Sequence, residues 1–301
     1  MPAASNRIRR ARPLLGTFVE IEAAGPVTSR VNQAIDAAFE SVASVHRLMS
    51  FHDADSDVSR INREAFDRPV KVHESTFAVL KASVELYRQS NGLFDITVAP
   101  VLQRMGLLPR HGDSTPADRR TSDAIELLEG RMIRFRERHV KIDLGGIAKG
   151  FAVDEALRVL RSSGAVECAI VNAGGDLAAF GAEPQAIDIR HPRDPSRIVG
   201  HAKISNEALA STGRRFDPFR SAETTGSAII GPGRAPLDNA IDGVTVRAAS
   251  CMIADALTKI VMISGTGSAG LLELYRANAL VILPDSVQIS PDWQHAVHLA
   301  A

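Results

Sequence analysis

Two glycine turns bracket one helical segment in Lys141–Asp176, KIDLGGIAKGFAVDEALRVLRSSGAVECAIVNAGGD. No other stretch limits the fold as much. Lys141–Leu144 alternates and reads as a short strand, and Gly145 and Gly146 break it. From Ile147 the spacing turns helical, with Ile147, Phe151, Leu157 and Leu160 on or near one face, and Gly164 suits the helix end. Cys168–Val171 reads as a buried strand, followed by a turn at Asn172–Asp176. Paired glycines ahead of a helix N-terminus, flanked by Asp143 and Lys149, suit a diphosphate. The same pattern also describes an ordinary strand–turn–helix, and this stretch alone leaves both readings open.

The rest of the chain supplies a large α+β fold. Leu14–Ala23 alternates as a strand; Val31–Met49, Thr76–Ser90 and Met252–Ile263 have helical spacing. After Gly181 the pattern is β-rich, with strands at Ala186–Ile189, Val199–Ile204, Glu207–Ala210, Gly243–Ala248 and Ala279–Leu283, and a turn at Ser211–Gly213. Asp255, Thr258 and Lys259 fall at i, i+3 and i+4 and share one helix face. Asp95, in an apolar setting, either caps its turn or binds a ligand. The residues His52, Asp53, Asp55 and Asp57 lack the central glycine and closing glutamate of a calcium loop. Pro109–Asp123, polar with two prolines and a glycine, reads as a mobile surface loop, and Arg214–Pro236 is dense in Gly, Ser, Thr and Arg.

At 301 residues the chain can bury a large core as one big domain or as two intimate halves, and no linker is long enough to divide it into independent domains. We expect a flexible basic tail at residues 1–13, carrying Arg7, Arg9, Arg10 and Arg12, and a single domain over 14–301. Lys+Arg 35 against Asp+Glu 35 gives no global signal for nucleic acid. No apolar run is long enough for a membrane span or a signal core, and Cys168 and Cys251 do not form a disulfide framework, so a cytoplasmic place is expected.

Several segments, in order, resemble the ApbE family of flavin transferases. Leu14–Thr17, Met49–Phe51, Arg60–Asn62, Phe94–Pro100, Asp143–Gly150, Asn172–Asp176, Ser211–Gly213, Val244–Val246 and Ala254–Leu257 carry the resemblance, across roughly residues 14–283. It implies a single-domain α+β, T-fold-like architecture of mixed and antiparallel sheets with flanking helices. It also implies FAD as substrate, a divalent ion, usually Mg²⁺, and an acceptor flavoprotein that receives FMN on a threonine or serine while AMP leaves. By the same resemblance Leu15, Phe51, Leu93, Phe94, Asp95, Asp143 and Lys149 line the flavin nucleotide. Gly146, Ala148, Asp255 and Thr258 hold the metal, and Asp255, Thr258 and Lys259 form the catalytic set.

The sequence departs from the family at two points. Lys259 stands where the family has its metal-binding threonine, and Ala228 stands where it has a histidine. Lys259 therefore either pairs with Asp255 and competes with Mg²⁺, or contacts the diphosphate, or points to solvent and leaves Thr258 as the ligand. A flavin-binding relative without transfer activity and an FAD pyrophosphatase are the alternative functions.

Overall fold

The structure, a computed structural model, describes residues 6–109, 121–213, 228–238 and 240–300. Most of the loop expected at Pro109–Asp123, and residues 214–227 of the Gly/Ser/Thr/Arg-rich stretch, lie outside the described residues. In chain order β1 (Asn6–Leu14) and β2 (Thr17–Gly25) lead into α1 (Thr28–Met49) and α2 (Asp57–Glu64). Then come β3 (Val70–Lys71), α3 (Glu74–Gln89), α4 (Ala99–Arg104), β4 (Ile125–Leu128) and β5 (Met132–Phe135). The bracketed helix is α5 (Ala148–Ser162), followed by β6 (Cys168–Ala173), β7 (Asp176–Phe180), β8 (Gln185–His191), β9 (Asp194–Ile204) and β10 (Ala208–Gly213). Last are β11 (Gly243–Ala248), α6 (Cys251–Ser264), α7 (Ala269–Leu274), β12 (Asn278–Ile282), β13 (Val287–Ile289) and β14 (Val297–Leu299).

The described residues group into two compact units. The first takes residues 6–44, 149–213 and 240–300. It holds an eight-stranded antiparallel sheet in the order β1-β2-β6-β7-β10-β11-β12-β13 and a three-stranded sheet β14-β9-β8. Alternation along β10 sends Leu209 into the core between the two sheets, with Leu177, Ile189, Ile204, Leu280 and Trp293. Thr212 points the other way, to α6. The second unit takes residues 45–109, 121–148 and 228–238 and carries the small sheet β3-β5-β4 with α2, α3 and α4. This is the expected α+β class of antiparallel sheets with flanking helices.

Four expectations are corrected. The basic tail expected over 1–13 is a strand from Asn6 onward, paired residue for residue with β2. Its arginines have partners: Arg9 on Glu20 at 2.7 Å, and Arg10 and Arg12 on Asp36 at 2.8 and 2.7 Å, with Arg12 also 4.6 Å from the Phe39 ring. Read alone, a run of arginines looks solvated; the acids that neutralise it lie 11–26 residues away. The strand at Leu14–Ala23 is likewise interrupted by a two-residue hairpin turn, with Leu15 and Gly16 at φ 57 and 71.

Lys141–Leu144 is not a strand. Its backbone bonds go to the Asn62 side chain, which accepts from Ile142 N–H at 2.8 Å and donates to its carbonyl at 2.9 Å, and to the Ile96 carbonyl at 2.8 Å. Ser211–Gly213, expected as a turn, completes β10 opposite Gly243–Thr245.

Candidate functional site

In the first unit the site begins with the approach of α5 to α6. A Cβ on Gly150 would lie 2.3 Å from the Cys251 carbonyl oxygen, so only glycine lets the two helix starts come this close. Asp154, one turn on, accepts from the Cys251 and Met252 N–H groups at 2.8 and 2.9 Å and from Ser250 Oγ at 2.7 Å. It thereby caps the free donors at the start of α6.

This contact sets Lys149 beside two acids that have no exposed side-chain surface. Its Nζ bonds to Asp176 and lies 3.8 Å from Asp255 Oδ2. Asp176 is delivered by the turn after β6, where Gly174 and Gly175 have φ 64 and 100 and the Asn172 amide oxygen accepts from Gly175 N–H at 2.9 Å. Asp255 Oδ2 also accepts from Gly150 N–H at 3.1 Å. Lys259, one turn along α6, donates to Asp255 Oδ1 and, at 3.0 Å, to the Asp255 carbonyl.

The charges follow from these contacts. Burial would push Asp255 up, but Lys149 and Lys259, with the Gly150 N–H, hold it below the ordinary carboxylate value. Burial and the adjacent Asp255 push Asp176 above that value against the pull of the lysines. Burial disfavours the Lys149 charge, yet Asp176 and Asp255 outweigh it and raise that ammonium.

Thr258 is brought to this face but turned inward. Its hydroxyl donates to the Asp255 carbonyl at 2.6 Å and lies 2.7 Å from Thr212 Oγ1. A cavity of about 480 Å³ opens between this sheet and β8, walled by Ile187, Ile189 and Leu209 as well as Asn172, Ser211 and Thr245, and Lys149, Asp176, Asp255 and Lys259 are not among its lining residues. Leu15, at the β1–β2 turn, is half-buried and is not among the cavity's lining residues.

In the second unit Asp95 resolves to a partnered acid. Its Oδ1 accepts from Thr97 N–H and Oγ1 at 2.9 and 2.8 Å and from Ser122 Oγ at 2.8 Å, while Arg234 reaches Oδ2 at 3.0 Å. Arg234 also donates to the Thr97 carbonyl at 2.8 Å, so it fastens the segment after Ala228 to this turn. Phe51 and Phe94 are buried, and Leu93 is half-buried. Asp143 N–H donates to the Ile96 carbonyl, and Asp143 Oδ2 accepts from Gly145 N–H at 3.0 Å. Gly146 is half-buried and Ala148 buried.

Asp176 and Thr212 lie in segments that carry the resemblance but had no role assigned from the sequence, and Asp154 and Arg234 were not singled out at all. A lone acid after a glycine turn at the head of an apolar strand is the signal that would have found Asp176. Arg234 had none, since it lies in a polar stretch without periodicity.

The class so defined is an α+β protein in which two half-buried lysines front two buried acids between α5, α6 and the turn after β6. The chain belongs to the ApbE family, whose profile matches residues 15–281. A Vibrio cholerae protein named FAD:protein FMN transferase is 31% identical over 280 residues, covering 87% of this chain and 82% of the relative. A Haemophilus influenzae protein of the same name is 26% identical, covering 86% and 80%. Among solved structures, the flavin transferase ApbE from Vibrio cholerae superposes with TM-score 0.78 at 26% identity over 97% of this chain and 99% of that one. The ApbE protein of Thermotoga maritima shares the fold with TM-score 0.84 over the same shares, at 24% identity.

The divalent ion implied by the resemblance does not fit the residues as arranged. A hard cation needs several available oxygens. The charge of Asp255 is already answered by the Lys259 ammonium on Oδ1 and by Lys149 and the Gly150 N–H on Oδ2, and the Thr258 hydroxyl is buried between the Asp255 carbonyl and Thr212. Asp176 Oδ1 is a buried oxygen without a partner, but it is a single donor. Among the described residues no group of three His, Cys, Asp or Glu is placed to hold a metal. The Gly146 and Ala148 carbonyls are neutral and leave the charge count unchanged.

Proposed function

We propose that the chain is an FAD:protein FMN transferase, which moves FMN from FAD to a threonine or serine of an acceptor flavoprotein and releases AMP. Family membership and the shared name of its relatives support this reading. The observation that carries it is the cluster of Lys149, Asp176, Asp255 and Lys259, assembled from three of the family-like segments at the start of α5. Phosphoryl transfer asks for positive charge at the diphosphate and in-line placement of the incoming hydroxyl. Two ammonium groups, which keep exposed surface in front of the buried acids, are the donors that can meet it.

In this reading Leu15, Phe51, Leu93, Phe94, Asp95, Asp143 and Lys149 line the nucleotide, and Asp255 with Lys259 serves the transfer. Thr258 acts by fixing α6 to Thr212. The acceptor hydroxyl oxygen attacks the phosphorus on the FMN side, the bond to the bridging oxygen breaks, AMP leaves with that oxygen and the hydroxyl proton passes to solvent. In a loose transition state the nucleophile's proton leaves late, so turnover is compatible with Ala228, which has no ionisable group.

Among the described residues no helix is long and apolar enough to cross a membrane. A cytoplasmic place, expected from the sequence, is kept as part of this proposal. Titration with FAD, followed by flavin fluorescence, tests the reading. It predicts a saturable change; none up to about millimolar FAD, an affinity of only about −4 kcal/mol, would sink it.

A further inference from the structure

The geometry points to Lys259, together with Lys149, as the cation of this site, so that the chain binds the diphosphate of FAD without a divalent metal. The inference rests on the flavin reading above. Asp176 and Asp255 have no exposed side-chain surface, whereas the Lys149 and Lys259 side chains keep 31% and 18% of theirs. An arriving ligand therefore meets ammonium groups, with the carboxylates behind them.

The two acids and two lysines already balance. An added divalent ion would have to displace Lys259 from Asp255 and leave an ammonium half-buried without its acid, an arrangement proteins avoid. Lys259 is also locked in place by its bond to the Asp255 carbonyl, which costs a flexible side chain little further ordering when a phosphate binds. It has three donors and uses two on Asp255, so one remains for a phosphate oxygen. Thr258 is turned away from the ammonium groups: it is buried, its one proton goes to the Asp255 carbonyl and it accepts from Thr212, so it could reach a metal only by leaving that bridge.

The test is FAD titration of the wild-type chain in EDTA and in excess magnesium, with Lys259→Thr and Lys259→Arg in parallel and folding followed by circular dichroism. Wild type and Lys259→Arg are expected to bind with dissociation constants within about threefold of each other in the two buffers. Lys259→Thr is expected to weaken at least about tenfold in EDTA and to recover in magnesium. Loss of FAD by the wild type in EDTA alone overturns the proposal and leaves the flavin reading standing. Absence of FAD binding in both buffers overturns the flavin reading and this proposal with it. Folded Lys259→Thr binding as tightly as wild type in EDTA also overturns it. If neither variant folds, the wild-type comparison decides.

Discussion

Lys259 donates to both the side chain and the main-chain carbonyl of Asp255, one turn back on α6. Asp255 is fully enclosed, so this ammonium is a large part of what makes its charge tolerable. Replacing Lys259 by Met, which keeps the length and removes the charge, is expected to lower stability by about 3 kcal/mol in EDTA. Magnesium should then raise the melting temperature of Lys259→Met and leave that of the wild type unchanged. Differential scanning calorimetry with and without magnesium checks both statements.

The closeness of α5 and α6 gives a steric prediction. Gly150→Ala puts a methyl group against the backbone of Cys251 and Met252, which cannot move without pulling α6 off the sheet. We expect a loss of about 4 kcal/mol, at the upper end for a single substitution. Gly270→Ala in α7 is the control: nothing lies within 4 Å of the added carbon, and a helical glycine-to-alanine change should be neutral or gain about 0.5–1 kcal/mol. Urea unfolding of both variants measures the difference.

Both helices of that contact were legible in the sequence, and so was the shared face of Asp255, Thr258 and Lys259, because helical period and i, i+4 spacing are local. The i, i+4 spacing also allowed Lys259 to pair with Asp255, and in the structure it does so instead of pointing to solvent. What stayed hidden is long-range. Lys149 finds Asp176 27 residues away, and Gly150 finds Asp255 105 residues away. The alternation of Lys141–Leu144 misled, because Asn62, 80 residues distant, takes the hydrogen bonds a neighbouring strand would have taken.

Removing Lys149 should make stability depend on pH. In Lys149→Met the buried Asp176, already raised by desolvation and by Asp255, loses its main cation and rises further. A carboxyl raised in the folded state binds its proton there before the unfolded chain does. The penalty is therefore full above the folded value and shrinks as pH falls toward the unfolded value, near 4. Thermal unfolding at pH 8 and pH 5 should show the deficit against wild type narrowing at pH 5. A deficit that is constant or widens there contradicts the assignment.

Arg234 and Asp95 form the corresponding pair of the second unit, with 17% and 12% of their side-chain surfaces exposed. Arg234→Ala leaves Asp95 Oδ2 without a cation and releases the segment after Ala228 from Thr97. We expect a loss of about 2 kcal/mol in urea unfolding, and faster proteolysis within residues 228–238. Arg234→Lys keeps the charge but not the forked geometry and should recover only part of the loss.

The central claim is covalent transfer, and the most direct measurement is a balance of products. The purified chain, FAD and an acceptor flavoprotein are incubated together; AMP is resolved by chromatography, and flavin on the acceptor is read by fluorescence after denaturation. The account predicts one AMP for each flavin fixed on a threonine or serine, with no fixation when that residue is replaced by alanine. AMP with free FMN and no protein-bound flavin, or bound FAD that yields neither product, would contradict it.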